Sequence, residues 1–552
     1  MSELQDAIRE VNELRAVGEQ MTGFDAATWR TALADRTMRS PVMALVLLDS
    51  VPEWERLRKR FDRLTRVVPV LRQRPLSGVL GVSTPRLGVD PDFDLDVHLH
   101  RMSLPEGTGW EQVLLEARRM SLTDFDLDRP LWEASLIEGL EGGRAALLVK
   151  LHHAIADGQA TVMIGANLFE FTPEGTPNEP PAPPAPVVAE VTHREVSRAN
   201  IADNVRRGLD LAASGARLLA GLAAGTVKDP MSTWGDAAEM VGSVGRFTAM
   251  PESVMSPIMA QRGTTYHFAV FDMPFGEMRA AAKQRKASVN DVFLASVSTG
   301  MARYHDRYGK PADQLRFNIP ISLRSASKDG SAANAVTIAR FPLPVNNASI
   351  DERLEAAHEQ VRRWREEPAL TLANPLADAS WLVPVPVLAS AAKKSDVTTS
   401  NVPGPPIPLY VAGSRAVGIW PLVATIGAAV NITLVTYDNT AFIGLSADDR
   451  AVPDLEILVA DLRSGFADVL EDKIGPADPV SASGSGDADS HAEKVRKVDA
   501  KPATKSTAKK TAAKKTTGKR TSTRRAAGAA KKATAAAKKS ATAAASRSRS
   551  TD

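Results

Sequence analysis

Apolar positions recur along this chain in two forms: short uninterrupted runs, and longer stretches in which they return every three or four residues. "SPVMALVLLD", Ser40 to Asp49, is a run of the first kind and predicts a buried strand. The segment after it, "VPEWERLRKRFDRLTRVVPVL", sets Trp54, Leu57, Phe61 and Leu64 on one face of a helix. "GRAALLVKLHH" predicts another strand, and "GQATVMIGANLFEF" a helix for which Asp157 stands at the N-cap position. In the second half, "TTYHFAVFDMP", "QLRFNIPISLR", "NAVTIARFPLP" and "AAVNITLVTYDNTAFIGLSAD" read as strands, the last with a hairpin turn at Asp438-Asn439. Helices are expected from Phe275 into "ASVNDVFLASVSTGMARY" and along the stripe Leu455, Leu458, Leu462 and Phe466. Strands and helices thus alternate in both halves, which predicts an α/β chain of two similar-sized lobes.

Between the halves, "TPEGTPNEPPAPPAP" cannot hold a helix or a central strand and predicts a polyproline-like connector. Beyond it, Ile201, Val205, Leu209, Ala216, Leu219 and Leu222 form a helical stripe with arginines beside it. A helix packed on the core is the first expectation, a helix lying on a lipid surface the second. After Asp472 the composition collapses to Ala, Lys, Thr, Ser and Arg, too little apolar surface to offset the entropy of ordering. The expected organisation is therefore a lobe over 1–172, a linker with connecting helices over 173–262, a second lobe over 263–472 and a disordered tail over 473–552.

The 552 residues contain no cysteine, which excludes disulfides, a thiolate nucleophile and cysteine-ligated metal centres. No signal peptide pattern opens the sequence and no apolar run approaches the ~20 residues that span a bilayer. A cytoplasmic protein is expected, one able to lie peripherally on a membrane. The net charge of +3 conceals a split: from Lys494 onward there are 19 Lys and Arg against two Asp, a tail near +17 that leaves the rest near −14.

The candidate chemistry sits in "LVKLHHAIADGQA", where a strand ends on His152-His153 and turns at Asp157-Gly158. A neutral imidazole held at a strand end suits a general base. Two other readings stay open on these residues alone, a structural turn and a metal ligand, although a third ligand cluster and a His-Glu-x-x-His helix are missing. There is no Gly-x-Ser-x-Gly elbow, phosphate-binding loop or dinucleotide fingerprint, so direct transfer assisted by a base is the simplest chemistry.

"HHAIADG" matches the His-His-x-x-x-Asp-Gly motif of the coenzyme A-dependent acyltransferase superfamily. The chain more narrowly resembles the bacterial wax ester synthase/diacylglycerol acyltransferase family, on Pro130-Leu131-Trp132, on Asn290-Asp291 in "SVNDVFLA", and on "SNVPGP" from Ser400 to Pro405. The motifs stand in the family's order, across roughly Met21 to Leu470. The resemblance implies a two-lobed, chloramphenicol acetyltransferase-like α/β fold with the site between lobes. It implies transfer of a long-chain acyl group from acyl-CoA, as co-substrate and with no resident cofactor, to diacylglycerol or a fatty alcohol. His153 becomes the base, His152 a supporting residue and Asp157 the acid of the turn. Gly158, Asn290, Asp291, Ser400 and Asn401 become substrate-side candidates, with Asn290 and the Ser400-Asn401 pair as polar contacts for the oxyanion. The plainer alternatives are a helix N-cap at Asn290, a rigid loop at "NVPGPP" and a core tryptophan at Trp132. The opening "MTGFDAATWR", Leu87 where the family commonly has tryptophan, and "QATVMIG" after the glycine depart from the family pattern.

The tail's paired lysines, spaced by small residues, suit a salt-sensitive attachment either to nucleic acid, without sequence preference, or to an anionic membrane or lipid-droplet surface; a solubilising tail is the third reading. Two competing functions remain at this stage. One is an acyltransferase of the same fold acting on a small alcohol, an amine or a carrier-bound substrate. The other is a non-catalytic protein that binds nucleic acid or membrane through its tail.

Overall fold

A strand hidden on both faces needs apolar residues at every position, and Ala145–His152 is buried at all eight of its positions. It belongs to a computed structural model that describes residues 18–21, 23–78, 85–155, 158–186, 191–228, 239, 242–245, 249–322, 336–372 and 383–471. Asp157 and the basic tail lie outside the described residues. The first lobe comprises α1 (Gly23–Ala34), β1 (Pro41–Leu48), α2 (Trp54–Val67), β2 (Leu99–Thr108), α3 (Trp110–Leu122), β3 (Trp132–Leu140), β4 (Ala145–His152) and α4 (Gly158–Leu168). The long helix α5 (His193–Lys228) follows.

The second lobe contains β5 (Tyr266–Pro274), α6 (Phe275–Gln284), α7 (Val289–Arg307), β6 (Gln314–Ser322), β7 (Val336–Pro344), α8 (Ile350–Arg365), α9 (Val385–Ala392) and β8 (Val397–Val402). It continues through β9 (Tyr410–Val411), β10 (Ser414–Val423), β11 (Val430–Tyr437), β12 (Thr440–Asp448) and α10 (Leu455–Glu471). One six-stranded sheet has the order β9-β10-β1-β4-β3-β2, the other β7-β6-β8-β11-β12-β5. Helix α2 buries Leu57, Phe61 and Leu64 against the first sheet's core, as the stripe predicts.

The order of the first sheet departs from a division at residue 263. Strand β10 lies far along the second half, yet it pairs antiparallel with β1, Val423 opposite Val42 and Ala416 opposite Leu48. Its other contact is with the second sheet. A Cβ on Gly444 of β12 would stand 1.6 Å from the Pro421 carbonyl oxygen, so only glycine lets the two strands approach this closely. Nothing local marks this crossover, because β10 has the composition of any buried strand; its partner is chosen by long-range pairing.

In the second lobe Phe317, Ala339, Phe341, Val397, Ile432 and Leu445 pack with α7 and α10 in one core. The helices meet where both carry glycine: a Cβ on Gly465 would sit 2.4 Å from the Gly300 nitrogen. The proline-rich connector has no regular structure along most of its length and is pinned to α2 by Arg60–Glu179 at 2.6 Å and by Arg63 donating to the Pro180 carbonyl.

Helix α5 corrects an expectation. Its first turns are packed, with Val196, Ala199 and Asn200 buried, but Ile201, Val205 and Leu209 are 64%, 57% and 66% exposed. Periodicity predicted the helix, but it carries no information on whether anything covers the stripe, of which the Ala216, Leu219 and Leu222 side chains lie outside those described. Arg86, ion-paired with Asp203, holds the helix to the first lobe.

If the β10–β12 approach constrains the fold, Gly444→Ala lowers stability by about 1–3 kcal/mol through overpacking. Gly276→Ala, at a helical position with nothing within 4 Å, leaves it unchanged or slightly raised. Urea unfolding midpoints of the two variants check this, and equal shifts would refute the constraint.

Candidate active site

The His-His pair is placed by main-chain bonds from two neighbouring segments. Pro41 of β1 pairs with His152 at the end of β4. The His152 amide donates to the Leu131 carbonyl at 3.0 Å, and the His153 amide to the Ser40 carbonyl at 2.9 Å. His153 then opens a short 3-10 turn, His153–Ile155, which leads toward α4 beginning at Gly158.

The two rings differ. His152 is buried; its Nδ1 accepts from the Ala154 amide at 3.1 Å, which leaves its proton on Nε2. Edges of Trp29 and Phe125 meet it at centroid distances of 5.3 and 5.6 Å. Burial pushes its pKa down to about 3, with His153 and Lys150 contributing in the same direction. His152 is therefore a neutral positioning residue. His153 is half-buried, with Phe24 edge-on at 5.4 Å. Among the described residues its Nδ1 is enclosed without a hydrogen-bond partner, which makes Nε2 the candidate nitrogen for proton transfer. Burial lowers its pKa as well, opposed by an interaction with its own main chain. A neutral imidazole able to accept a proton is the result.

Sequence reasoning missed Lys150, one turn of the pleat before His152 on the same face. Its side chain is fully buried, donates to the Thr123 carbonyl at 2.8 Å, pairs with Glu133 at 3.5 Å and lies 4.0 Å from the centre of the Phe125 ring. Burial lowers its pKa. A lone lysine inside the apolar run "AALLVKLHH" was the available signal. Next to it Asp124, held below its ordinary range by Arg39, takes an ion pair at 2.8 Å; the same Arg39 donates to the Thr264 carbonyl of the second half. Arg118 likewise reaches the Tyr266 carbonyl and Asp449, and Ser121 bonds the Tyr266 hydroxyl, whose pKa burial raises to about 12.

The Pro130-Leu131-Trp132 motif acts through its main chain. Leu131 supplies the carbonyl that anchors His152, while Trp132 is 1% exposed, donates to the Leu71 carbonyl and stacks between Phe61 and His98. Asp291 closes a capping box with Ser288 and also meets His358 at 3.1 Å. The N-cap of α7 is Ser288, so Asn290 lies at the second helical position, half-buried. Ser400 and Asn401 share β8, where alternation sends them to opposite faces. Asn401 is in register with Leu434, a residue of the helix-side core, and Ser400 with Thr433 on the other face.

That other face is the one joined to the histidine end. Thr433 donates to Asn431 Oδ1, Asn431 Nδ2 to the Ala424 carbonyl, and the Ala424 amide to the Pro41 carbonyl beside His152. Ser400 is thus brought into the thread that reaches the histidines, whereas Asp291 is committed to its helix cap. Gly404 in "NVPGPP" is where the loop folds back, since a Cβ there would lie 2.0 Å from the Thr436 carbonyl oxygen.

Two family models match this chain: the wax ester synthase/diacylglycerol acyltransferase catalytic domain over residues 21–293 and the WS/DGAT C-terminal domain over residues 332–469. The chain belongs to the wax ester synthase/diacylglycerol acyltransferase family. A relative from Mycobacterium tuberculosis with the provisional name diacylglycerol O-acyltransferase is 31% identical over 481 residues, covering 85% of this chain and 95% of its own. Among solved structures, the wax ester synthase/diacylglycerol acyltransferase of Marinobacter aquaeolei VT8 has a TM-score of 0.53 at 22% identity, covering 81% of this chain and 98% of that one. The first condensation domain of the calcium-dependent antibiotic synthetase has a TM-score of 0.54 at 16% identity, with 83% and 97% covered. These likenesses establish the two-lobed acyltransferase fold; the family makes the protein an acyltransferase. The match crosses the proline-rich connector, so both lobes are parts of one family unit.

The depressed His152 pKa has a consequence for stability in this family member. The unfolded imidazole binds a proton near the ordinary 6.5 and the folded one only near 3, so the unfolded state holds more protons in between. Stability therefore falls as pH drops through that window. His98, His153 and His305 are shifted in the same direction, so the test is a difference. His152→Gln should flatten the plot of urea midpoint against pH between about 6.5 and 5 relative to wild type, a window set by the histidine shifts. Parallel curves would show that His152 is not held neutral.

Proposed function

We propose that this acyltransferase moves a long-chain fatty acyl group from acyl-CoA to diacylglycerol or a long-chain alcohol, with His153 as general base. The observation that carries the proposal is the neutral, half-buried His153 at the end of β4, its Nδ1 enclosed, inside a family match that extends over both lobes. The acceptor hydroxyl gives its proton to Nε2 while its oxygen attacks the thioester carbonyl. The tetrahedral intermediate then collapses, the C–S bond breaks, and the imidazolium returns the proton to the departing sulfur. A lowered pKa serves both steps, since the free base is present at neutral pH and its conjugate acid is a ready proton donor. Ser400 and Asn290 are proposed as polar groups for the oxyanion and Gly158 as a substrate-side support, with Asp157 bracing the turn. Asp291, in the cap of α7, and Asn401, on the helix-side face of β8, are placed to support Asn290 and Ser400 and not to meet substrate. Transfer to small or carrier-bound acceptors is less well supported, because the long matched relative carries a diacylglycerol acyltransferase name over 95% of its length.

The substrates' apolar chains give the enzyme a reason to work at a lipid surface. Exposed Arg194 and Arg198 continue the same helical face as Ile201, Val205 and Leu209, a pairing of cations with apolar side chains that suits an anionic bilayer or droplet surface. The tail's 19 Lys and Arg add a second attachment, at ~1 kcal/mol per basic residue near such a surface. No helix among the described residues is long and apolar enough to cross a membrane.

Transfer of label from palmitoyl-CoA, with diacylglycerol and hexadecanol offered separately, tests the reaction. Triacylglycerol or wax ester should form, and His153→Ala should lower the rate about 10²–10⁴-fold. Product at an unchanged rate in the variant would remove the base, and no product with either acceptor would remove the substrate class.

Co-sedimentation with phosphatidylglycerol vesicles tests the helix face. Ile201→Asp with Leu209→Asp should reduce the bound fraction several-fold at high salt, where the tail's contribution is screened. An unchanged fraction would put the attachment elsewhere.

A further inference from the structure

The second sheet carries a cation without a counter-ion among the described residues. Arg340 lies on the edge strand β7, between Ala339 and Phe341, whose side chains are in the helix-side core; its own side chain therefore points to the opposite face, the one that β10 covers further along. Its Nε is enclosed with no hydrogen-bond partner among the described residues. Burial lowers its pKa, and the one other charge acting on it is the like charge of Arg316. Two other buried arginines of this lobe are provided for. Arg353 donates to the carbonyls of Pro344 and Asn346 and to Ser298, and Arg262 donates to those of Gly427, Met259 and Ser395 with Asp396 and Asp448 nearby.

The strand register places Arg340 at the end of a polar row. Arg340 is opposite Asn318, Asn318 is in register with Thr398, Thr398 with Asn431, and Asn431 with Ser446. Asn318 donates to Ser395 at 2.7 Å, but its Oδ1 is enclosed without a partner, so orphaned polar atoms stand on adjacent strands. Arg316, two residues before Asn318 on the same face, gives its side-chain donors to the carbonyls of Ser253 and Lys394, while its amide donates to Asp396. The far end of the row is the active-site end, where Asn431 and Ser446 hold the carbonyls of Ala424 and Val423.

We propose that Arg340, with Arg316 and Asn318, is the subsite for the phosphate groups of coenzyme A, an inference that rests on acyl-CoA being the donor. Of the proposed substrates, only the coenzyme brings anionic charge; the acyl chain and both acceptors are neutral. Arg340 is three strand spacings from Asn431, ~14 Å at ~4.8 Å per strand. The pantetheine arm, with its two amides, spans about as much as four or five residues of extended chain, ~15 Å. A thioester at the His153 end would therefore leave the phosphates at the edge strand, with the half-buried Thr398 offering a hydrogen bond to the amides between. A guanidinium with a free N–H beside a second cation matches a diphosphate.

The test compares two thioester donors, palmitoyl-CoA and S-palmitoylpantetheine, which lacks the phosphates, in the full chain and in Arg340→Gln and Arg340→Lys. For palmitoyl-CoA, Arg340→Gln should raise KM about ten-fold or more with kcat nearly unchanged, and Arg340→Lys should recover part of the loss. For palmitoylpantetheine the wild type and both variants should be alike. An equal change with both donors would make Arg340 structural, and no change with either would remove it from the site; both overturn the proposal. Thermal shift with free coenzyme A and with pantetheine gives a second readout. Ligand-free Arg340→Gln should melt no lower than wild type, since it removes an uncompensated buried charge, and coenzyme A should stabilise wild type more than the variant. Equal stabilisation of the two also overturns the proposal. Should wild type bind coenzyme A yet transfer nothing from palmitoyl-CoA, the failure belongs to the reaction and the subsite is still read from the shifts.

Discussion

The pairing of β10 with β1 is the constraint on which the rest depends. A strand from the second half completes the first sheet, and its C-terminal end is fixed by Ala424 bonding to Pro41. The same strand lies close enough to β12 that Gly444 cannot carry a Cβ and Ser446 bonds the Val423 carbonyl. One strand therefore sets the separation of two sheets, as a hinge could not. His152 and His153, at the end of β4, and the Asn431–Thr433–Ser400 face of the second sheet then come near one another as a matter of register.

Within that frame the histidines are kept neutral by what surrounds them. A buried lysine would ordinarily be a liability at a base, yet Lys150 is held off by the Phe125 ring, which touches both Lys150 and His152, and is tied down by Thr123 and Glu133. Its charge adds to burial in disfavouring protonation of His152. With His152 fixed as an acceptor from Ala154, the His153 backbone is held in turn, and no carboxylate among the described residues bonds its ring. Around this region the Arg118–Asp449 ion pair joins one half to the other, as does Arg39, which is paired with Asp124 and donates to the Thr264 carbonyl.

Period and composition made much of the chain legible. Eight apolar positions ending on His-His could be read as β4 because a central strand tolerates no polar face, and the α2 stripe because Leu57, Phe61 and Leu64 recur at helical spacing. The crossover could not be read: β10 looks like its neighbours, and its partner lies more than 360 residues away in sequence. The exposure of Ile201, Val205 and Leu209 was hidden for the same reason, since periodicity describes a face and not its neighbour. For the motifs, alternation alone separates Ser400 from Asn401, but only the sheet order tells which face holds the helices. Asp291 shows the local limit, because "SVND" is equally a motif and a capping box, and the structure uses it as the latter.

The second sheet has two unlike faces, and the contrast locates chemistry better than any single residue. Its helix side is dry, with Phe317, Phe341, Ile432 and Leu445 filling the space between strands and helices. Its other side carries Arg340, Asn318, Thr398, Asn431 and Ser446 in one register row, a sequence of polar groups that a sheet built for stability alone would replace with apolar ones. At the end near β10 these groups are satisfied by main-chain carbonyls, and there they serve the crossover. At the edge strand they are not, and Arg340 and Asn318 retain orphaned atoms. A polar row satisfied at one end and left with orphaned atoms at the other is the contrast on which the proposed coenzyme subsite rests.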